Sequence, residues 1–178
     1  MIDKIIASGF GGQGVITLGK LIAYIGMKKG KHVTHFPSYG AEMRGGTANC
    51  SVIVSDDEIA SPVFTHPTTT IVMNTPSLVK FAPMADKNSY FIIDSSTVTG
   101  EIKRQDLNII SVPASQIAND IGNVKIANIF LLGIYGQIHS FFTMEEGKQY
   151  LEEFFKGKKE ELIHINIKAL DQGFRYKI

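Results

Sequence analysis

The chain has 178 residues, 44% of them hydrophobic and 20% charged, enough for one sizeable domain with its own core. Eighteen basic against seventeen acidic residues leave it near neutrality, with no cluster of Lys and Arg interleaved with aromatics, which argues against a nucleic-acid partner. A single cysteine, Cys50, excludes an internal disulfide, and excludes a Cys-ligated iron–sulfur cluster or structural zinc built by this chain alone.

No apolar run approaches the ~20 residues needed to cross a bilayer. The first strand starts at once, without a signal-type leader. The expectation is a soluble, cytoplasmic protein with no membrane partner. Cys50 lies in an apolar, strand-like run and reads as a small buried hydrophobe.

In chain order, Ile2, Ile5, Ile6 and Ala7 read as a first buried strand, and Val15, Ile16, Leu18, Leu21, Ile22 and Ile25 recur at near-helical spacing. Between them stands Ser8-Gly9-Phe10-Gly11-Gly12-Gln13-Gly14. Gly30 is placed to end the helix, and His32 to Phe36 supplies a second strand. A right-handed crossover is expected for that strand–helix–strand unit. Pro37 to Gly46 reads as a polar, glycine-rich loop. Thr47 to Val54 has an apolar face, Asp56-Asp57-Glu58 makes a turn, and Ile59 to Phe64 reads as a short returning strand. The segment 47–64 is expected to add antiparallel pairing.

Thr69 to Met73 suits a central strand; after it, Thr75 reads as a helix cap and Pro76 as the first helical residue. Tyr90 to Ile93 and Asn108 to Val112 are further short strands, closed by Asp94 and Pro113. Helices then take over. Ile126, Ile129, Phe130, Leu132, Gly133 and Gly136 form an apolar helix with small residues for close packing. Thr143 with Glu146 fits a capping box, Gly157 can end that helix, and Glu160 to Leu170 is a last helix stopped by Gly173. No repeat, low-complexity tract or linker divides the chain. The pattern predicts the α/β class: a single three-layer Rossmann-like domain over residues 1–178, with a mostly parallel sheet and a helical C-terminal region.

Residues 9–14 satisfy the dinucleotide pattern letter by letter, with the strand before and the helix after that give it weight. Four glycines allow a tight turn and close approach of a ligand, and a helix start offers free N–H groups to an anion. The expected ribose-binding carboxylate about 20 positions on is missing, because the second strand ends His35-Phe36-Pro37-Ser38. Three readings stay open: a dinucleotide, another phosphate-bearing ligand, or a tight turn that packs helix on strand at a subunit surface. A second loop, Ser38-Tyr39-Gly40-Ala41-Glu42-Met43-Arg44-Gly45-Gly46, follows the second strand and should lie at the same carboxyl edge of the sheet. Arg44 could grip a phosphate or carboxylate with two parallel bonds, or pair with Glu42 or with a partner's carboxylate.

Catalytic motifs are missing. The five histidines show no metal-ligand spacing, no Ser or Cys sits in a nucleophile elbow, and no Gly-x-x-x-x-Gly-Lys-Ser/Thr loop exists. A Gly-Asp-Gly segment for thiamine diphosphate is absent too. The chain has the architecture of an enzyme domain without a catalytic set, which points to a subunit.

At its two loops the sequence resembles the gamma subunit of the 2-oxoacid:ferredoxin oxidoreductases. The likeness rests on Gly9-Phe10-Gly11-Gly12-Gln13-Gly14 and, about 30 residues on, Tyr39-Gly40-Ala41-Glu42-Met43-Arg44-Gly45-Gly46, followed by Ser51-Val52-Ile53-Val54-Ser55. Ala127-Asn128-Ile129-Phe130-Leu131-Leu132-Gly133 and Asn166-Ile167-Lys168-Ala169-Leu170-Asp171-Gln172-Gly173 extend it over essentially the whole chain. The resemblance implies an enzyme that converts a 2-oxoacid and CoA to acyl-CoA, CO2 and reduced ferredoxin. It implies that this chain holds no cofactor alone, with thiamine diphosphate, Mg2+ and iron–sulfur clusters on alpha, beta and delta ferredoxin-like partner subunits. Gly9, Gly11, Gly12, Gln13 and Gly14 would form the anion-facing turn; Glu42, Arg44, Gly45 and Gly46 would meet CoA or a neighbouring subunit. No catalytic or metal-ligating role is implied for any residue. The short separate chain favours the 2-oxoglutarate or branched-chain type over pyruvate. The alternatives are a small subunit of indolepyruvate:ferredoxin oxidoreductase and a free-standing dinucleotide-binding reductase.

Overall fold

The computed structural model describes residues 2–39 and 47–178. It divides into two compact units, Met1–Pro113 and Ala114–Ile178. The first holds a six-stranded sheet made of β1 (Ile2–Phe10), β2 (His32–Tyr39), β3 (Thr47–Ser55), β4 (Thr69–Val72), β5 (Tyr90–Asp94) and β6 (Asn108–Val112), in the order β2-β3-β1-β4-β5-β6. Pairing is parallel from β1 through β4 and β5 to β6, and antiparallel where β3 meets β1 and β2. Two reversals bring β2 back to the direction of β1, so β3 alone runs against the rest. This is the mostly parallel α/β sheet expected, with the antiparallel pairing expected of residues from 47 on.

Alternation along the strands places two helices on opposite faces of the sheet. α1 (Val15–Lys28) lies so close to β3 that a Cβ on Gly19 would collide with Cys50 Sγ and stand 3.1 Å from Val52. Cys50 pairs with Ala7, and Val52 with Ile5. Successive strand residues face opposite sides, so Ser8 belongs to the other face, where its Oγ meets Ser77 Oγ of α2 (Thr75–Phe81) at 2.7 Å. Helix, sheet, helix is the three-layer order expected. Beneath α2 the core is Val72, Leu78, Ala85, Phe91 and Val98. Side chains of this size contribute roughly 1.5–3 kcal/mol each when fully buried.

Local chemistry ends several elements as the sequence predicts. Gly30, at φ 71°, donates its N–H to Met27 O, and Lys31 donates to Gly26 O, the paired bonds of a glycine-terminated helix. Lys31 then forms an ion pair with Asp56, whose carboxyl is lowered to about 2 chiefly by that hydrogen bond. In the second unit Thr143 and Glu146 form the full capping box of α5 (Met144–Phe154), and Gly157 adopts φ 87° three residues after it.

Other expectations need correction. β2 continues through Pro37, Ser38 and Tyr39, which the sequence reading placed in the loop; Pro37 is tolerated because β2 is an edge strand. Residues 59–64 form no strand. Ser61 Oγ accepts the Val63 N–H at 3.1 Å in a local turn, and Pro62 removes a donor. Asn74, not Thr75, caps α2, accepting the Ser77 N–H at 2.8 Å, with Pro76 one position further in. β3 hydrogen-bonds along one edge to β1 and along the other to β2, and so lies between them. Gly173 does not stop the last helix.

The second unit contains α3 (Ala114–Ile121), a 3-10 turn (Val124–Ile126), α4 (Ala127–His139), α5 and α6 (Glu160–Arg175). α4 is buried on nearly all sides, with Phe130, Leu131, Leu132, Ile134 and Tyr135 fully enclosed. It crosses α6 backbone to backbone at two glycines. A Cβ on Gly173 would strike Phe130 O, and one on Gly133 would lie 2.5 Å from Leu170 O. Phe142 and Phe174 pack edge to face beside Gly136, with ring centroids 5.2 Å apart. Gly173 therefore stays inside α6, where it permits the crossing.

Candidate functional site

β1, β4, β5 and β6 run in the same direction, so Phe10, Val72, Asp94 and Val112 end at one edge of the sheet. β1 leads through α1 to β2 on one side, while β4 leads through α2 to β5 on the other. The junction between β1 and β4 is therefore the switch point of the sheet, where such folds open a ligand crevice. Tyr39 pairs with Ala48 and Phe10 with Thr47, so the strand ends flanking residues 40–46 stand level with the turn that follows β1. Glu42, Arg44, Gly45 and Gly46 themselves lie outside the described residues.

The turn is shorter than the glycine motif. Gly9 and Phe10 still belong to β1, and Gln13 N–H donates to Phe10 O at 3.1 Å, closing a four-residue turn. Gly12 has φ 101°, as the third position of a type II turn demands. Gly14 has φ 77° and is the residue from which α1 starts. No side chain caps α1, and its first turn holds no acidic residue. The positive end of its dipole, with the first-turn N–H groups that no carbonyl within the helix can take, lies at the turn. Gly11 and Gly12 are exposed, and a Cβ on either would meet nothing within 4 Å. The outer surface of the turn is bare backbone.

The inner surface is tied down. Gln13 Oε1 accepts the Phe10 N–H at 2.6 Å, and Gln13 Nε2 donates to Met73 O at 2.7 Å. Met73 O also accepts the Thr97 hydroxyl at 2.9 Å, and Met73 N–H donates to Ser8 O at 2.8 Å. A Cβ on Gly9 would lie 2.6 Å from Gln13 Oε1, so this glycine makes room for the glutamine rather than for a ligand. Of the expected site residues, the structure brings Gly11, Gly12, Gln13 and Gly14 together and puts Gly9 beneath them. Sequence reasoning missed the parts played here by Met73 and Thr97. The Asn74-Thr75-Pro76 cap signal marked the right place but not the contacts.

Titratable groups add little chemistry here. Burial, and then the charge of Lys20, lower the His35 imidazole, while a backbone hydrogen bond at Ile16 opposes them; its Nε2 has no partner. Burial pushes the Cys50 thiol up to about 12, and its Sγ–H donates to Val15 O at 3.3 Å. Such a thiol is a core group, not a nucleophile. Among the described residues, no three His, Cys, Asp or Glu side chains stand together as a metal site would require. The arrangement suits recognition of an anion by neutral backbone donors.

The family described as pyruvate ferredoxin/flavodoxin oxidoreductase matches residues 4–176. The ketoisovalerate oxidoreductase subunit VorA of Methanothermobacter marburgensis is 33% identical over 170 residues, covering 96% of this chain and 35% of that protein. The chain thus spans about a third of the length of the VorA subunits it matches. The keto/oxoacid ferredoxin oxidoreductase gamma subunit from Geobacter sulfurreducens PCA superimposes with a TM-score of 0.83 at 25% identity, covering 98% of this chain and 95% of that one. The 2-oxoglutarate:ferredoxin oxidoreductase from Magnetococcus marinus, solved with 2-oxoglutarate, coenzyme A and succinyl-CoA bound, gives 0.85 at 24% identity over 97% of this chain and 30% of that one.

Proposed function

The chain belongs to the pyruvate ferredoxin/flavodoxin oxidoreductase family, and we propose that it is the gamma part of a complex that converts a 2-oxoacid and CoA to acyl-CoA, CO2 and reduced ferredoxin. The observation that carries the CoA contact is the uncapped start of α1, presented by a bare glycine turn at the switch point of the sheet. Backbone amides at Gly11, Gly12 and the first turn of α1 would hold a phosphate of CoA, with Gly14 setting the direction of the helix. Arg44 and Glu42, with Gly45 and Gly46, would meet CoA or a neighbouring subunit.

Redox and carbon–carbon chemistry falls to partner chains in this reading. One buried cysteine provides no set of cluster ligands. Thiamine diphosphate, Mg2+ and iron–sulfur clusters are accordingly assigned to alpha, beta and delta ferredoxin-like subunits. Residues 1–178 are taken as one gamma-type domain, which the match across residues 4–176 supports. The likeness to VorA favours a branched-chain 2-oxoacid, and likeness to 2-oxoglutarate synthase subunits KorC keeps 2-oxoglutarate beside it. No helix among the described residues is long and apolar enough to cross a membrane, and a cytoplasmic site is proposed.

Native purification followed by assay across several 2-oxoacids tests the proposal. The expected result is co-elution with thiamine- and iron–sulfur-bearing chains and CoA-dependent ferredoxin reduction, fastest with a branched-chain substrate. A lone monomer without such partners would overturn it. A preference for indolepyruvate would move the complex to that branch of the family.

A further inference from the structure

We infer that Gln13 is a positioning residue: its carboxamide touches no ligand but clamps the glycine turn across the ends of β1 and β4, fixing the outward amides that meet CoA. The inference rests on the CoA reading above. Gln13 is the one turn residue whose side chain reaches inward, and both ends of its amide are engaged. The oxygen accepts from Phe10 at the end of β1; the nitrogen donates to Met73, the residue after β4. Its main-chain N–H closes the turn on Phe10 O. The Thr97 hydroxyl donates to the same Met73 oxygen, so the anchor is itself held.

The geometry solves a specific problem. A Ser, Thr or Asp at position 14 would order the start of α1 by capping it, but would also occupy the N–H groups an anion needs. Gly14 brings no capping side chain, and Gln13 supplies the order from below. Gly9 completes the device, since any side chain there would collide with the Gln13 amide. A turn held in its bound shape loses less freedom when ligand arrives, so the benefit should appear in CoA affinity.

The test uses the assembled complex with three variants. Gln13→Ala should raise KM for CoA about tenfold while leaving kcat at saturating CoA and KM for the 2-oxoacid near their starting values. Gln13→Glu keeps the acceptor but sets a carboxylate oxygen against Met73 O, and should fail to rescue. Gly11→Asp places a carboxylate in the open space outside the turn and checks the CoA reading itself. If Gly11→Asp leaves KM for CoA unchanged, that reading fails. If Gly11→Asp raises it and Gln13→Ala does not, the role assigned to Gln13 is overturned. Wild-type amide exchange by NMR needs no variant: the Phe10 N–H should be protected with and without CoA. Rapid exchange there would show that the Gln13 bond is not made, and would overturn the inference where the variants do not assemble.

Discussion

Glycines do opposite work in two regions of this molecule. At the α4–α6 crossing, Gly133 and Gly173 face backbone, and each absent Cβ is the space through which one helix passes the other. In the turn after β1, Gly11 and Gly12 face nothing, so packing explains neither. The first pair is glycine because something is already there. In the second pair Gly12 is glycine because its φ of 101° asks for one, and Gly11, if the turn meets CoA, is glycine because something arrives. A glycine's neighbours, more than its motif, separate structure from function.

Substitutions sharpen that contrast. The largest effect is expected at the crossing. Gly173→Ala drives a methyl into Phe130 O, which the helix backbone cannot yield cheaply. We expect a loss of about 3 kcal/mol, read as a fall in Tm of roughly 6–12 °C for a chain of this length. A Tm within about 2 °C of wild type would show that the helices simply move apart. Gly12→Ala should be milder, because space is open and only the φ of 101° is strained. A loss of about 1–2 kcal/mol is expected in denaturant unfolding.

A third region shows close packing without exposed backbone. Gly19 brings α1 so near the sheet that its missing Cβ would lie 3.2 Å from the His35 ring. The lowered pKa of that ring sets the sign of a pH effect. Below about 6.5 the unfolded chain takes the proton first, so stability holds above that pH and declines beneath it, until the folded imidazole protonates as well. Thermal melts between pH 7 and 5 should fall more steeply for wild type than for His35→Gln. Parallel slopes would assign the acid sensitivity elsewhere.

Local signals in the sequence carried far into this structure. The strand before the glycines, the helix after them, Gly30 as a terminator and the Thr143–Glu146 box all depend on residues within a few positions of one another, and all were readable. So were β4, β5 and β6, whose short apolar runs are bounded by turn residues. What was not readable depends on distant partners. The entry of β3 between β1 and β2 follows from a register that spans about 45 residues. Gly173 has the look of a helix stop until Phe130 is placed beside it. The Gln13 clamp reaches Met73, 60 positions away, and no local pattern announces it. At the site, the turn residues were legible and their division into bare outer and braced inner surfaces was not.

In the proposed function the outer surface of the turn meets CoA. Gly11 tests it most directly, since its side-chain space is empty and its stability effect should stay within about 0.5 kcal/mol. Steady-state KM for CoA in the assembled complex, compared between Gly11→Ala and Gly11→Asp, is the decisive measurement. A CoA contact at the turn predicts that Gly11→Asp, with its carboxylate beside a phosphate, raises KM about tenfold above that of Gly11→Ala. Equal constants for the two variants would contradict it and leave the turn as a subunit surface.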